Sequence, residues 1–140
     1  MMNAQTPGMF IRLPDWPERL AACIAERRHR PFAWGEHDCC QFVAAAIQAM
    51  TDHNPLESLG YHDARSAMRI LHKEGGLERA VEARLGASKP VTLAMRGDIA
   101  LLPRGKRQAL GVVMGQSAFF AAPTGLSEWP ITRCTVAWSV

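Results

Sequence analysis

Asp38 is followed by Cys39-Cys40-Gln41-Phe42-Val43-Ala44-Ala45-Ala46-Ile47-Gln48-Ala49-Met50, a run that is apolar almost all round. Asp is a favoured N-cap, so the run predicts a helix from about residue 39 to Thr51. A helix without a polar face belongs in the middle of a core. The rest of the chain must therefore pack around it. With 48% apolar residues in 140, the chain has enough apolar surface for one real core, and the length fits one domain.

Further helix signals lie on both sides. Asp15 is placed to cap a first helix with Pro17 in its first turn. Leu20, Cys23 and Ile24 follow helical spacing, Arg27, Arg28 and Arg30 sit near the end where cations are favoured, and Pro31 stops the helix. Residues 31–37 read as a turn. Asn54-Pro55 and Leu59-Gly60 mark a loop. Asp63 is placed to cap a third helix over about 64–74, ended by Gly75-Gly76, and a fourth over about 77–85 ends at Gly86.

The pattern then changes. Residues 98–102, 110–114, 118–122 and 134–140 read as strands, separated by Pro103-Arg104-Gly105, Gly115-Gln116-Ser117 and Pro123-Thr124-Gly125. Helices first and strands second predict an α+β fold. The Cys-bearing helix is central and packs on a C-terminal antiparallel sheet of about four to five strands. No connection between the strands is long enough for a crossover helix. Residues 1–12 read as an N-terminal arm and 13–140 as a single domain. The four tryptophans, Trp16, Trp34, Trp129 and Trp138, read as core or rim anchors. Phe119 and Phe120 are neighbours on a strand and so face opposite sides. Together with Met9, Phe10 and Ile11 of the arm, they are the candidate partner contacts.

Net charge is a mild +3. Arg27, Arg28, His29 and Arg30 form one basic cluster, and Arg104, Lys106 and Arg107 another. With no aromatic residues interleaved, these read as solvated surfaces, and no nucleic-acid partner is expected. No run approaches the ~20 apolar residues that span a bilayer. Residues 1–12 lack the basic start and long apolar run of a signal peptide. Cys23, Cys39, Cys40 and Cys134 are accordingly expected to be reduced thiols in a cytoplasm. Even with His37 counted, their spacings match no zinc-binding pattern, so no metal site is expected and no cofactor is called for.

A thiol in the first turn of a helix meets the positive end of the helix dipole, which favours the thiolate. Cys39 therefore stands where a cysteine nucleophile belongs, although small thiols also pack well in any buried helix. Pro31-Phe32-Ala33-Trp34-Gly35 followed by Asp38-Cys39 resembles the opening motif of the NlpC-type, papain-related cysteine peptidases and amidases. Residues Arg96 to Leu102 and Ala109 to Gly115 resemble that family's first two strands. The resemblance covers about residues 31–122 and implies that Cys39 occupies the nucleophile position. It also implies what is missing. Ala109 stands where the family has its histidine base, Ala121 where it has the residue that orients the base, and Phe32 where it has a tyrosine.

Thiol catalysis needs a group to take and return a proton. His37 is expected to point away from the helix start, and His29, His53, His62 and His72 lie outside the strand pair expected to face the thiol. With Gly125-Leu126 and Ala137-Trp138 added, the chain is similar to a small group of NlpC-like proteins encoded among phage and prophage tail genes. That resemblance implies a structural component of a phage tail tip with a degenerate active site. Such a component would be assembled in the host bacterial cytoplasm, reside in the virion and contact other tail-tip proteins. The alternative is an active cysteine amidase or peptidase that cleaves cell-wall peptides during phage entry, with peptidoglycan as its partner.

Overall fold

The computed structural model describes residues 10–57 and 59–140. Four helices come first: α1 (Trp16–Arg27), α2 (Cys39–Thr51), α3 (Ala64–Glu74) and α4 (Leu77–Leu85). Six strands follow: β1 (Lys89–Pro90), β2 (Ile99–Arg104), β3 (Arg107–Val113), β4 (Ser117–Ala122), β5 (Gly125–Pro130) and β6 (Val136–Trp138). They form one antiparallel sheet in the order β1-β6-β2-β3-β4-β5. The α+β class is as expected, with six strands in place of four to five. Short β1 adds one edge, and the chain beyond Pro123-Thr124 stays paired with β4 to make the other. β2 to β5 form a meander, but β6 returns to the far side of β2 and pairs there with both β2 and β1.

The apolar run is the centre of the molecule. Phe42, Val43, Ala46, Ile47 and Met50 of α2 are buried, packed against Leu20 and Ile24 of α1 and against Ile99, Leu101, Leu110 and Val112 of the sheet. Asp38 caps α2 through a hydrogen bond from the Gln41 amide at 2.9 Å, and Asp63 caps α3 in a reciprocal capping box with Ser66. Asp15 stands at the N-cap of α1 as expected, but its side chain makes no cap hydrogen bond. Its carboxylate accepts from Arg19 Nε at 2.9 Å instead, because a guanidinium one turn on competes for the same oxygen. No helix among the described residues is long and apolar enough to cross a membrane.

The second face of the sheet has a smaller core: Ala100, Leu102, Val113, Ala118, Phe120 and Cys134. No helix covers it. Trp129 and the short 3-10 turns Val91–Leu93 and Ile131–Arg133 do. Phe119 and Phe120 part to opposite faces as strand alternation requires. Phe120 is 2% exposed in the smaller core, a burial that stabilises the fold by about 1.5–3 kcal/mol. Gly111 makes room for it: a Cβ there would stand 2.4 Å from the Phe120 ring and 2.5 Å from the Phe119 carbonyl oxygen.

Of the expected arm, Phe10 packs against the main core and Arg12 is tied down. Its guanidinium donates to the carbonyls of Val140 and Arg96, both at 2.8 Å, and pairs with buried Asp98 at 3.2 Å. Lys89 reaches the other Asp98 oxygen at 2.8 Å. One carboxylate thus joins the start of the domain, the end of β6 and the entry to β2. Met9 and the residues before it lie outside the described residues.

Candidate functional site

The turn ahead of α2 closes on itself: the Ala33 amide donates to the His37 carbonyl at 3.0 Å and the His37 amide to the Ala33 carbonyl at 2.8 Å. This presents the Gly35 amide to Asp38 Oδ2 at 2.8 Å. Asp38 is 1% exposed. Its Oδ1 accepts from the Gln41 amide and from the Tyr61 hydroxyl. The buried carboxylate is satisfied by three neutral donors. The Tyr61 ring stands edge-on to Trp34, which is edge-on to Phe32. Tyr61 was not among the residues the sequence singled out. Its partner lies 23 residues away, and nothing in the local pattern marks the pair.

Cys39 is half-buried and Cys40 buried. The Cys40 thiol first, and then the Leu110 amide, favour the charged form of Cys39 and hold its pKa below the ordinary thiol value despite burial and the nearby Asp38 charge. Cys40 moves the opposite way, because its proton is committed to Cys39 and because it is buried. Tyr61 is also pushed up, by burial first and then by Cys40 and Asp38, so its phenol keeps its proton. Burial raises Cys23 and pushes Cys134 up to about 11. Among the four free cysteines only Cys39 is shifted toward the thiolate.

No imidazole among the described residues hydrogen-bonds that sulfur. His37, the nearest in sequence, is fully buried. Its Nε2 stands 2.8 Å from the Gly125 carbonyl, which only accepts, so Nε2 carries the proton. Its Nδ1 accepts from Arg27 at 3.2 Å. Both ring nitrogens are thereby engaged away from Cys39, and the ring lies edge-on to Phe42. The β4–β5 turn docks tightly here. Gly125, at φ +135, has no room for a side chain, since a Cβ would fall 1.9 Å from the Arg28 carbonyl oxygen. The Phe32 amide, 3.2 Å from the Pro123 carbonyl, pins the same turn.

The positions expected for the base and its orienting partner fall on different faces. Ala109 packs with the smaller core, on the face turned away from α2. Ala121 packs in the main core with Cys39 and Cys40. The β3 residue whose backbone reaches the sulfur is Leu110, and its side chain is buried in the main core. Whichever of these positions is read as the base, the strands offer the thiol aliphatic groups. The arrangement can hold a thiolate, but the protic side chains beside it, Cys40 and Tyr61, retain their protons.

The remaining expected contacts are spread apart. Ile11 is 82% exposed, and Phe119 is half-buried beneath the Arg28 guanidinium, 5.9 Å from its ring centre. Phe120 is enclosed. Cys23, His37, Cys39, Cys40 and Cys134 do not gather into one cluster. Among the described residues no set of three or more His, Cys, Asp or Glu side chains could hold a metal ion.

Residues 11–140 match the family described as "Domain of unknown function (DUF6950)". No curated protein matches the chain.

Proposed function

The chain belongs to the DUF6950 family, and from that premise we propose that it is a structural component of a phage or prophage tail tip, built on an NlpC-like fold whose thiol does not turn over substrate. One observation carries this reading: among the described residues no imidazole hydrogen-bonds the Cys39 sulfur, and the ring of His37, the nearest in sequence, is engaged by Gly125 and Arg27. A cysteine hydrolase must move a proton from its thiol to the leaving amine near neutral pH. His37 is locked to Gly125 and Arg27, and Leu110 and Ala121 supply no polar group. Retaining a fold while changing its task is common, so the fold alone argues for neither outcome. The place of such a component is the virion tail, its assembly takes place in the host cytoplasm, and its partners are other tail-tip proteins.

The test pairs two measurements. Phage carrying Cys39→Ala should plate at the wild-type titre, and the purified wild-type protein should clear no peptidoglycan in a zymogram. The second reading is an active cell-wall amidase or peptidase, favoured by the lowered Cys39 pKa. It requires clearing by the wild type that Cys39→Ala abolishes, and that result overturns the structural role.

A further inference from the structure

The sheet face turned away from α2 has features that its small core does not explain. The β2–β3 hairpin carries six consecutive exposed residues, Pro103 to Gln108. Arg104 and Arg107 stand directly opposite one another across it, with Lys106 in the turn between them. Like charges in directly opposed strand positions destabilise a sheet. Arg104 and Arg133 both approach the half-buried Trp129, at 5.0 and 5.7 Å from its ring. None of Arg104, Lys106, Arg107 and Arg133 makes an ion pair among the described residues.

The same face is apolar at its other end. The turn that sends Val91 and Ala94 into the smaller core leaves Leu93 and Met95 61% and 68% exposed. The six residues of β2 between the turn and the hairpin run about 20 Å at ~3.3 Å each, within the width of an ordinary protein–protein patch of about 800 Å² per partner. Trp, Arg and Met are enriched at protein interfaces, and exposed Leu93 adds apolar area beside them. A phosphate backbone gains nothing from Leu93 and Met95. With guanidinium groups already on Trp129, that ring is not a free platform for stacking bases.

We propose that this face, from Leu93 and Met95 to Arg104, Arg107, Trp129 and Arg133, docks a partner protein that presents carboxylates opposite the hairpin and apolar side chains opposite the turn. The proposal rests on the structural role above and names the surface that serves it. The cross-strand arginine pair is then a local stability cost that the partner's carboxylates offset.

The experiment uses the full chain and a fluorescent peptide of mixed glutamate and leucine, followed by anisotropy at low and high salt, with duplex DNA in parallel. The peptide should bind, more weakly at high salt, and Arg104→Glu/Arg107→Glu should weaken it roughly tenfold or more. Leu93→Ser/Met95→Ser should weaken it without changing the salt dependence, and Cys39→Ala should leave it unchanged. Arg107→Glu alone should raise the thermal midpoint while lowering affinity, since it turns a repulsive cross-strand pair into an attractive one. DNA binding as tight as peptide binding overturns the proposal in favour of a nucleic-acid surface. Peptide binding that survives the double charge reversal, or no peptide binding, also overturns it. Cys39-dependent clearing of peptidoglycan would defeat the structural role and is read separately from any of these binding results.

Discussion

Asp38 and Asp98 are buried to nearly the same degree, 1% and 2% exposed, yet they are neutralised in different ways. Asp98 faces two cations, Arg12 and Lys89, and takes the Met95 amide at 2.8 Å and the Val140 amide at 3.3 Å. Asp38 accepts only from neutral donors: the Gly35 amide of the turn before it, the Gln41 amide in the first turn of α2 and the Tyr61 phenol. A buried charge with counter-ions that also hold other backbone groups is a staple for the fold. A buried charge held by dipoles acts instead on its neighbours. Asp38 pushes upward on the pKa of Cys39, Cys40 and Tyr61 alike, although the Cys40 thiol and the Leu110 amide still leave Cys39 below its ordinary value. It thus opposes the thiolate that the helix start and the Leu110 amide favour. Where an active nucleophile has a cation beside it, this one has a carboxylate.

The largest effect should come from the staple. Asp98→Ala leaves Arg12 and Lys89 without their common counter-ion in a partly buried site, and the loss should be about 3–5 kcal/mol in the denaturant unfolding free energy. Asp38→Ala removes an N-cap and strands the Gly35 amide and the Tyr61 hydroxyl, for about 2–3 kcal/mol. The two differ more clearly in reactivity. Asp38→Ala should speed iodoacetamide labelling of Cys39 at neutral pH, because a charge opposing the thiolate is gone. Asp98→Ala should leave that rate unchanged in the folded protein. Equal labelling rates in the two variants would erase the distinction.

What the sequence disclosed divides along the same line. The Asp38 and Asp63 caps were legible because a cap acts on amides two or three residues on, and the central helix because its composition leaves no other place for it. Asp15 marked the start of α1 correctly, but its carboxylate turns to Arg19 rather than to the helix amides, a choice that spacing alone does not decide. The site was legible only at Cys39. Tyr61 reaches Asp38 across a loop, and His37 reaches Gly125 from 88 residues away. Such pairs exist only once α2, the 31–37 turn and the β4–β5 turn have docked. β5 was overlooked because Gly125 closes one turn and opens a strand at once. The cover over Phe120 was hidden because it consists of short 3-10 turns, which carry no periodic signal of their own.

The smallest effect lies in the thiol pair and tests which neighbour controls it. Unfolded cysteine titrates near 8.5. A thiol held below that value in the fold contributes stability that is present above about pH 8.5 and is lost as pH falls through the lowered value. Cys39 is such a group. Cys40 is the reverse: its contribution is present below about pH 8.5 and is lost as pH rises toward its raised value. The unfolding free energy of the wild type relative to Cys39→Ala should therefore climb with pH toward about 8.5. Relative to Cys40→Ala it should decline beyond that point. Because the Cys40 thiol is the leading cause of the Cys39 shift, Cys40→Ala should also move the onset of Cys39 alkylation to higher pH. If alkylation keeps its wild-type pH profile in Cys40→Ala, the thiolate is held by the helix start and the Leu110 amide instead, and Asp38 then opposes the backbone alone.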